Sequence, residues 1–358
     1  MRAIVVAGGT GGHIYPALAI INKIKEQEKD SEILYIGTSD RMEKDLVPKF
    51  GIKFVGLEMV GLNRKNIFAN VVVLKKFCLA IKRAREEIRK FKPDIVIGAG
   101  GYITAPVLYA AHLEKTPVLI HEQNSIPGLS NKFISSFADK ICVSLPNSLE
   151  LFPKKKVAYT GNPRSEEIIN VTKRNKTTLG FNENKRLVVI VMGSLGSTTM
   201  TLKIKELIPE FKNKDYQVLV ITGNKYYDDY KDIEKSANVK IVPFMEDLIN
   251  LLKDSDLIIS RAGASTIAEI TAIGLPAILV PSPYVTNNHQ YKNAKELEDR
   301  GACIIVSEEE FSKDIIIKKV DELFHNQDKY DDMVKNCKAL GITDSATRIY
   351  KEAKKIIG

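Results

Sequence analysis

Short apolar runs alternate with amphipathic segments along the whole chain. Each run is continuously apolar, as in strands that are covered on both faces of a sheet. The segments between them, such as 15–29 and 266–273, carry apolar residues three or four positions apart, which predicts helices. The predicted strands occupy residues 2–7, 32–37, 94–99, 117–122, 140–144, 187–192, 216–222, 239–244, 256–260, 276–281 and 302–306.

This alternation predicts βαβ units and therefore parallel, doubly wound sheets. The pattern occurs twice, and 358 residues are enough for two domains at about 150 residues each. A Gly-Asn-Pro turn at 161–163 follows the apolar run VAYT and precedes a polar stretch, so we place the boundary there, with domains at 1–163 and 164–342. Two Rossmann-like domains that face each other would form a cleft, which is a common place for a ligand.

The positive charge is confined to the first half of the chain. The whole net charge of +9 comes from residues 1–160, because basic and acidic residues balance over 161–358. Residues 64–92 combine ten basic residues with many large apolar ones, a mixture that suits an anionic membrane surface. The same pattern fits a solvated amphipathic helix whose apolar stripe is core. A nucleic-acid site is disfavoured because the segment has no Tyr or Trp for base stacking.

The sequence predicts a chain made and kept in the cytosol. The longest apolar run, Leu187 to Met192, is far shorter than a membrane span, and the apolar stretch at the start is too short for a signal peptide. The four cysteines show no CxxC pairing and no metal-ligand spacing, so we expect reduced, mostly buried thiols.

The glycine-rich segment AGGTGGH at 7–13 lies between the first strand and a helix. Glycines allow backbone N–H groups to approach an anion at a helix N-terminus, although the segment could also be a plain tight turn. It is not a dinucleotide fingerprint, because Ile14 stands where the third glycine belongs, and it lacks the lysine of a P-loop. His13 could take a proton from an attacking hydroxyl, or it could be structural.

Two further loops follow predicted strands in the first half. GAGGY at 98–102 repeats the glycine pattern, and HEQNSIPG at 121–128 places Glu122 and Asn124 at the end of a buried strand. The carboxyl ends of parallel strands meet at one edge of a sheet, so these loops and the 7–13 turn should line one crevice.

The second half has loops suited to a nucleotide sugar. MGSLGS at 192–197 offers the Ser194 hydroxyl to a phosphate, and Arg164 offers a bidentate cation to a pyrophosphate. After the strand DLIIS, Glu269 lies about one turn inside a helix that begins near Gly263. A carboxylate there matches the two vicinal hydroxyls of a ribose, although a glutamate near a helix start also complements the helix dipole.

Two other positions suit the base and the sugar. Phe244, at the end of VKIVPF, could stack on a base or be core. In PSPYVTNNHQYKNA at 281–294, the amides of Asn288 and Gln290 suit sugar hydroxyls, whereas we take His289 as structural.

Six motifs in this order closely resemble one family: GGTGGHIYPALAI, GAGGY, HEQN, GNPR, SRAGASTIAEI and NNHQYKNA. It is the family of bacterial transferases that add N-acetylglucosamine to the lipid-linked muramyl-pentapeptide of peptidoglycan synthesis (lipid I), giving lipid II. The resemblance runs from residue 8 to about 294. It implies a GT-B glycosyltransferase fold in the α/β class, with the final segment 343–358 packing back on the first domain. It also implies inverting transfer from UDP-GlcNAc to the C4 hydroxyl of the muramyl sugar, without an obligatory metal or other cofactor.

The resemblance also assigns residues by matching motifs. It matches His13 to the proposed base or acceptor-site histidine of the family, and His13 is the predicted catalytic residue. The acceptor-side set is Gly12, His13, Gly101, Tyr102, Glu122 and Asn124. The donor set is Thr10, Gly11, Gly12, Asn124, Arg164, Ser194, Phe244, Met245, Gly263, Ala264, Ser265, Glu269 and Gln290. The basic and apolar set that would face the membrane is Ile67, Phe68, Val71, Leu74, Lys75, Lys76, Phe77, Lys82 and Arg83.

The expected partners are UDP-GlcNAc, lipid I and the anionic cytoplasmic face of the plasma membrane, where the protein would lie peripherally, together with other cell-wall synthesis proteins and no nucleic acid. One motif departs from the family, whose loop commonly reads GGSQGA. Met192 and Leu195 here replace a glycine and a polar residue, which puts one donor contact in doubt. Other interpretations are another GT-B transferase acting on a membrane lipid, a UDP-GlcNAc epimerase, and a basic surface-binding module. The failed fingerprint disfavours a dehydrogenase.

Overall fold

The computed structural model describes residues 1–61, 70–193, 196–234 and 236–358. These residues form two compact units. The first comprises 1–166 together with 344–358, and the second comprises 167–343. The boundary falls inside the helix Arg164–Asn170, a few residues after the turn at 161–163.

The first unit contains a parallel sheet of seven strands in the order β3-β2-β1-β4-β5-β6-β7, counted over its described residues. The strands are β1 Arg2–Val6, β2 Glu32–Thr38, β3 Lys53–Leu57, β4 Ile95–Gly98, β5 Val118–Glu122, β6 Lys140–Val143 and β7 Val157–Tyr159. The helices that accompany them are α1 Gly11–Gln27, α2 Glu43–Leu46, α3 Asn70–Phe91, α4 Thr104–Leu113, α5 Leu129–Ile134 and α6 Arg164–Asn170. Separate apolar clusters cover the two faces of this sheet, as the continuously apolar strands predict.

The second unit contains a parallel sheet of six strands in the order β10-β9-β8-β11-β12-β13, again counted over its described residues. The strands are β8 Leu187–Val191, β9 Gln217–Ile221, β10 Val239–Val242, β11 Leu257–Ser260, β12 Ala277–Leu279 and β13 Ile304–Ile305. The helices are α7 Thr198–Leu207, α8 Leu248–Leu252, α9 Ala264–Ile273, α10 His289–Glu298, α11 Lys313–Phe324 and α12 Gln327–Leu340.

The last helix, α13 Ser345–Ile357, belongs to the first unit. Ile349 and Ala353 are buried in the apolar cluster that also contains residues of α1. Polar contacts fix its position: Thr347 donates from its backbone and hydroxyl to Glu166 at 2.8 and 2.7 Å, and Lys140 lies 2.6 Å from Glu352.

The strand predictions hold with three corrections. The strand β3 was not predicted. It lies at the edge of the sheet, where four of its five residues are partly or fully exposed, and its sequence KFVGL is not a continuous apolar run. The strand predicted over 239–244 ends at Val242, because Pro243 has no backbone N–H to donate to a neighbouring strand. The strand predicted over 302–306 is reduced to Ile304–Ile305.

Candidate functional site

The glycine turn after β1 is built against the loop after β4. The Gly8 N–H donates to the Gly100 carbonyl at 3.2 Å. Gly9, Gly100 and Gly101 all have positive φ, and a Cβ on Gly101 would lie 2.4 Å from the Gly8 carbonyl oxygen. Only glycine tolerates both this conformation and this close approach. The AGGTGGH and GAGGY motifs are therefore two halves of one structure.

His13 lies in the first turn of α1, directly above this structure. Its Nδ1 is 3.1 Å from the Gly8 carbonyl oxygen and 3.4 Å from the Thr10 hydroxyl. A Cβ on Gly100 would lie 2.5 Å from the imidazole Cδ2, so the ring packs directly against the backbone of Gly100. Because a carbonyl can only accept, Nδ1 donates to Gly8, and the neutral ring then carries its lone pair on Nε2.

Only part of the turn can serve as an anion site. The Gly8 N–H is used by Gly100, and the Gly9 N–H donates to the Glu43 carboxylate at 3.2 Å. Gly12, in contrast, is exposed in the first turn of α1, where N–H groups lack partners within the helix. The Gly8 and Gly9 N–H groups thus serve the fold, and the predicted anion site would have to use Thr10, Gly11 and Gly12 at the helix start.

Tyr102 follows the GAGGY glycines and packs against the apolar cluster of its face. Its hydroxyl accepts a hydrogen bond from Arg41, and this contact raises the pKa of the guanidinium above its ordinary value. The sequence analysis missed Arg41, which lies next to the start of α2 at the same end of the sheet.

Glu122 organises its own loop. Its buried carboxylate accepts from the Asn124 backbone N–H at 2.9 Å, the Asn124 side chain at 3.3 Å, the Gly128 N–H at 3.0 Å and the Asn131 side chain at 2.9 Å. Four donors occupy both oxygens. The geometry therefore favours a role for Glu122 in shaping the 122–131 loop, in which Asn124 is partly exposed.

His121 connects this strand to the GNPR turn. Its buried Nε2 donates to the Gly161 carbonyl at 3.1 Å, and burial lowers the pKa of the imidazole to about 4. The ring is therefore neutral at physiological pH. Arg164, three residues after Gly161, has its guanidinium 5.4 Å from the centre of the Tyr15 ring, in the helix that carries His13.

The predicted donor residues of the second unit lie after several different strands of its sheet. Phe244 and Met245 follow β10, Gly263 precedes α9 after β11, and Gln290 lies in the first turn of α10 after β12. Because parallel strands end at one edge, these residues share that edge. Ser194 and Leu195 lie outside the described residues. The donor candidates Thr10, Gly11, Gly12, Asn124 and Arg164 belong to the first unit.

The side chains at this edge differ in exposure and in their contacts. Phe244 is 53% exposed, so the interpretation of this ring as core is wrong. The Gln290 carbonyl oxygen accepts from the Ser282 N–H at 2.8 Å. Ala264 and Ser265 form the first turn of α9, and the partly exposed Glu269 lies on the same helix.

Sequence analysis missed Arg261, the residue after β11. Its guanidinium lies 2.6 Å from Glu308 and donates to the Ser197 hydroxyl at 2.9 Å and the Val280 carbonyl at 3.1 Å. Ser197 immediately precedes α7. The sequence shows an arginine directly after a predicted strand, but it does not show that this side chain is buried.

The basic and apolar surface in the first unit lies at the start of α3. Val71 is 71% and Leu74 64% exposed, Lys75, Lys82 and Arg83 are exposed, and Lys76 is partly buried beside Glu58 at 3.5 Å. Phe77 instead packs against the apolar cluster and contacts Phe133 of α5 edge-on. Ile67 and Phe68 lie outside the described residues.

Neither a membrane-spanning helix nor a metal cluster occurs in the described parts of the chain. No helix there has both the length and the apolar character needed to cross a bilayer. Over the same residues, no three His, Cys, Asp or Glu side chains are grouped so that they could hold a metal ion.

Comparison with known proteins decides the family. Residues 3–143 match the glycosyltransferase family 28 N-terminal domain, and 187–349 match the corresponding C-terminal domain. The chain is 42% identical to the UDP-N-acetylglucosamine–N-acetylmuramyl-(pentapeptide) pyrophosphoryl-undecaprenol N-acetylglucosamine transferase of Bacillus licheniformis, over 99% of both chains. The chain belongs to this transferase family.

Solved structures support the assignment. The crystal structure of MurG from Acinetobacter baumannii is similar with a TM-score of 0.80 at 26% identity, over 99% of both chains. A UDP-GlcNAc 2-epimerase from Neisseria meningitidis, bound to UDP-GlcNAc, has a TM-score of 0.66 at 17% identity, over 99% of this chain and 100% of that one. The second likeness concerns the fold alone. The predicted family and the predicted α/β fold with two parallel sheets are thereby confirmed.

Proposed function

We propose that this member of the transferase family moves N-acetylglucosamine from UDP-GlcNAc to the C4 hydroxyl of the muramyl sugar in lipid I, giving lipid II and UDP. The observation that carries the proposal is 42% identity over 99% of the chain to a transferase whose name states this donor and acceptor. Two features of the structure support the proposal: Nδ1 of His13 donates to the Gly8 carbonyl, and the predicted donor residues of the second unit lie at one edge of its sheet.

His13 is proposed as the base. The C4 oxygen of the acceptor attacks the anomeric carbon of the donor, forming a new C–O bond as the bond to the UDP oxygen breaks. The proton of that hydroxyl passes to Nε2 of His13, and the bonding pair leaves with UDP. A single displacement inverts the anomeric centre. The Nδ1–Gly8 hydrogen bond supports this role because it leaves the lone pair on Nε2.

The departing UDP carries negative charge, which we propose is stabilised by Arg164, Ser194 and the N-terminus of α9 at Gly263–Ser265. Helix N-terminal N–H groups and a guanidinium suit a diphosphate, so the proposal requires no metal in the donor site. Full activity should persist in excess EDTA. A loss of activity that Mg²⁺ or Mn²⁺ restores would overturn this part.

Recognition of the donor is assigned to the second sheet edge. The Glu269 carboxylate would accept from both ribose hydroxyls, and Gln290 would contact the sugar. Phe244 and Met245 follow β10 at the same edge of the sheet, and the exposed Phe244 ring is available to cover the base.

We further propose that the exposed start of α3 binds the anionic cytoplasmic face of the plasma membrane, where a polyprenyl-linked acceptor resides. Exposed apolar side chains beside lysines and arginines provide both of the interactions that such binding needs. The protein would then be a peripheral membrane protein, and the same surface would also bind other proteins of cell-wall synthesis.

The deciding experiment supplies labelled UDP-GlcNAc with lipid I and follows the label into the lipid fraction. Label in a product of lipid II mobility supports the proposal. A parallel reaction with diacylglycerol tests for a different lipid transferase, and a reaction without acceptor tests for epimerisation to UDP-ManNAc. Label transfer to diacylglycerol alone, or conversion of the nucleotide sugar alone, would overturn the proposal.

A further inference from the structure

A fully buried carboxylate lies beneath the turn that carries His13. Glu43, at the start of α2, has no exposed surface. Its Oε1 accepts from the Thr38 N–H at 2.9 Å and the Thr38 hydroxyl at 2.5 Å, and its Oε2 accepts from the Gly9 N–H at 3.2 Å. Burying a carboxylate is costly, so a position with these contacts demands an explanation.

Neighbouring glycines make room for this side chain. A Cβ on Gly8 would lie 2.6 Å from Glu43 Oε1, and one on Gly37 would lie 2.7 Å from its Cγ. Neither glycine has a positive φ, so backbone conformation does not require glycine at these two positions. The side chain of Glu43 occupies the space beside both glycines, together with Ile103 at Gly8 and Phe54 at Gly37.

The contact reaches His13 through a single peptide group. The Gly8 carbonyl and the Gly9 N–H belong to the same amide: the N–H donates to Glu43, and the carbonyl oxygen accepts from His13 Nδ1 at 3.1 Å. A hydrogen bond from an amide N–H to an anion increases the negative charge on the amide oxygen, because hydrogen bonds in a chain polarise one another. The carboxylate therefore strengthens the acceptor that Nδ1 faces.

We propose that Glu43 is a positioning residue for His13, which it orients and makes more basic through the Gly8–Gly9 peptide. The inference rests on the proposed role of His13 as the base. The arrangement resembles an acid–histidine pair in which an amide group lies between the carboxylate and the imidazole. When Nε2 takes the proton of the acceptor hydroxyl, the resulting imidazolium donates to a carbonyl that the carboxylate has polarised.

Other titratable groups surround the same carboxylate. Arg41, on the segment that leads into α2, interacts with both Glu43 and Tyr102. Tyr35 of β2 donates its hydroxyl to the Ala7 carbonyl at 3.1 Å, and burial together with Glu43 raises the pKa of that phenol well above its ordinary value. Because its pKa is raised, the Tyr35 phenol does not ionise in the pH range where a histidine titrates and adds no acid limb there.

The test compares Glu43→Gln with the wild-type protein in the lipid I assay across pH. The glutamine keeps the shape and removes the charge. Without the negative charge of Glu43, the His13 imidazolium is less stabilised and its pKa is lower. The acid limb of kcat should therefore move to lower pH by at least about half a unit. The plateau of kcat should fall about tenfold while KM for UDP-GlcNAc stays within about twofold, because a weaker base transfers the proton less well.

Thr38→Val is the matched control. It removes one hydroxyl that donates to the same buried carboxylate but leaves the Oε2–Gly9 contact. We expect it to lower thermal stability and leave the acid limb at the wild-type pH. The inference is overturned if Glu43→Gln folds and keeps the wild-type limb, or if Thr38→Val moves the limb equally.

Two further measurements separate this inference from the role of His13. His13→Ala must itself be nearly inactive. If it is active, the proposed base fails, whereas an inactive His13→Ala with an unshifted Glu43→Gln rejects only the role of Glu43. If Glu43→Gln does not fold, ¹⁵N NMR of the wild-type imidazole decides. A neutral ring protonated on Nδ1 supports the proposal, and one protonated on Nε2 contradicts it.

Discussion

The guanidinium of Arg261 lies 2.6 Å from the carboxylate of Glu308, and both side chains are buried in the second unit. Arg261 also donates to Ser197, just before α7, and to the Val280 carbonyl, just after β12. One cation thus connects three segments at the strand edge to which the donor is assigned. Removing its anion would leave a buried charge without compensation.

Glu308→Ala should therefore destabilise the protein by about 3–5 kcal/mol, the usual cost of breaking a buried ion pair from one side. Urea denaturation of both proteins measures the difference. Asp228→Ala, which removes an exposed partner of Lys231, is the control and should leave the midpoint unchanged. A loss in Glu308→Ala no larger than in this control would show that the Arg261 contacts contribute little.

Much of the fold could be predicted because strands covered on both faces have a clear sequence pattern. Continuous apolar runs such as Leu187–Val191 predict strands directly. The edge strand β3 mixes polar and apolar residues and was missed. The end of β10 could have been placed at Val242 from Pro243 alone, since proline cannot donate in a ladder.

The site was harder to predict, because a motif gives the position of a residue and not its partners. Glycine spacing located the turn of His13, but nothing local indicated that Glu43 or Arg41 would lie beneath and beside it. Glu122 illustrates the reverse. Its place at the end of a buried strand was predicted correctly, yet its oxygens are occupied by its own loop.

Replacing His13 with alanine should lower turnover by at least about 100-fold, because general base catalysis typically contributes 10²–10⁴-fold. The donor affinity should change little, since the proposed base contacts the acceptor hydroxyl. Steady-state kinetics with labelled UDP-GlcNAc and lipid I separates kcat from KM. A variant with a near-normal turnover would exclude His13 as the base.

Glu269→Ala should raise KM for UDP-GlcNAc strongly, because the ribose hydroxyls would lose their proposed acceptor. Glu309→Ala removes another glutamate of the same unit, one that is exposed, and should leave KM unchanged. UDP binding measured by calorimetry should weaken in parallel with KM. If UDP binds Glu269→Ala as tightly as wild type, the residue does not contact the ribose.

The contribution of Glu28 to stability should depend on pH. Its carboxylate contacts the Met1 amino group at 2.6 Å, Lys354 at 3.0 Å and the Tyr350 hydroxyl at 2.9 Å, and these contacts hold the pKa of the carboxyl at about 2, below the ordinary 4.5. Since the folded state keeps this group ionised at lower pH than the unfolded state, the stabilisation is complete above about pH 5 and is lost as the pH falls toward 2.

Glu28→Gln should accordingly be less stable than wild type at pH 7, and the difference should shrink as the pH is lowered to 3. Urea midpoints at pH 7, 5, 4 and 3 give the comparison. Glu32→Gln, at an exposed carboxylate paired with Arg2, should show a small difference at every pH. A constant difference for Glu28→Gln would mean that the ionic contacts of α13 and Met1 are not its source.

Binding to anionic membranes should depend on the exposed start of α3. Val71→Glu and Leu74→Glu each replace an exposed apolar side chain with a charge that a phosphatidylglycerol surface repels, so sedimentation with such vesicles should fall severalfold. Leu202→Glu makes the same change on the second unit, at a side chain of matched exposure (70% against 71% for Val71), and should bind as wild type does.

Raising the salt concentration should weaken wild-type binding, because salt screens the attraction between the anionic vesicles and the lysines and arginines of the surface. Equal loss from all three variants would show that added negative charge, and not this surface, controls the binding, and the membrane-facing role of α3 would be wrong.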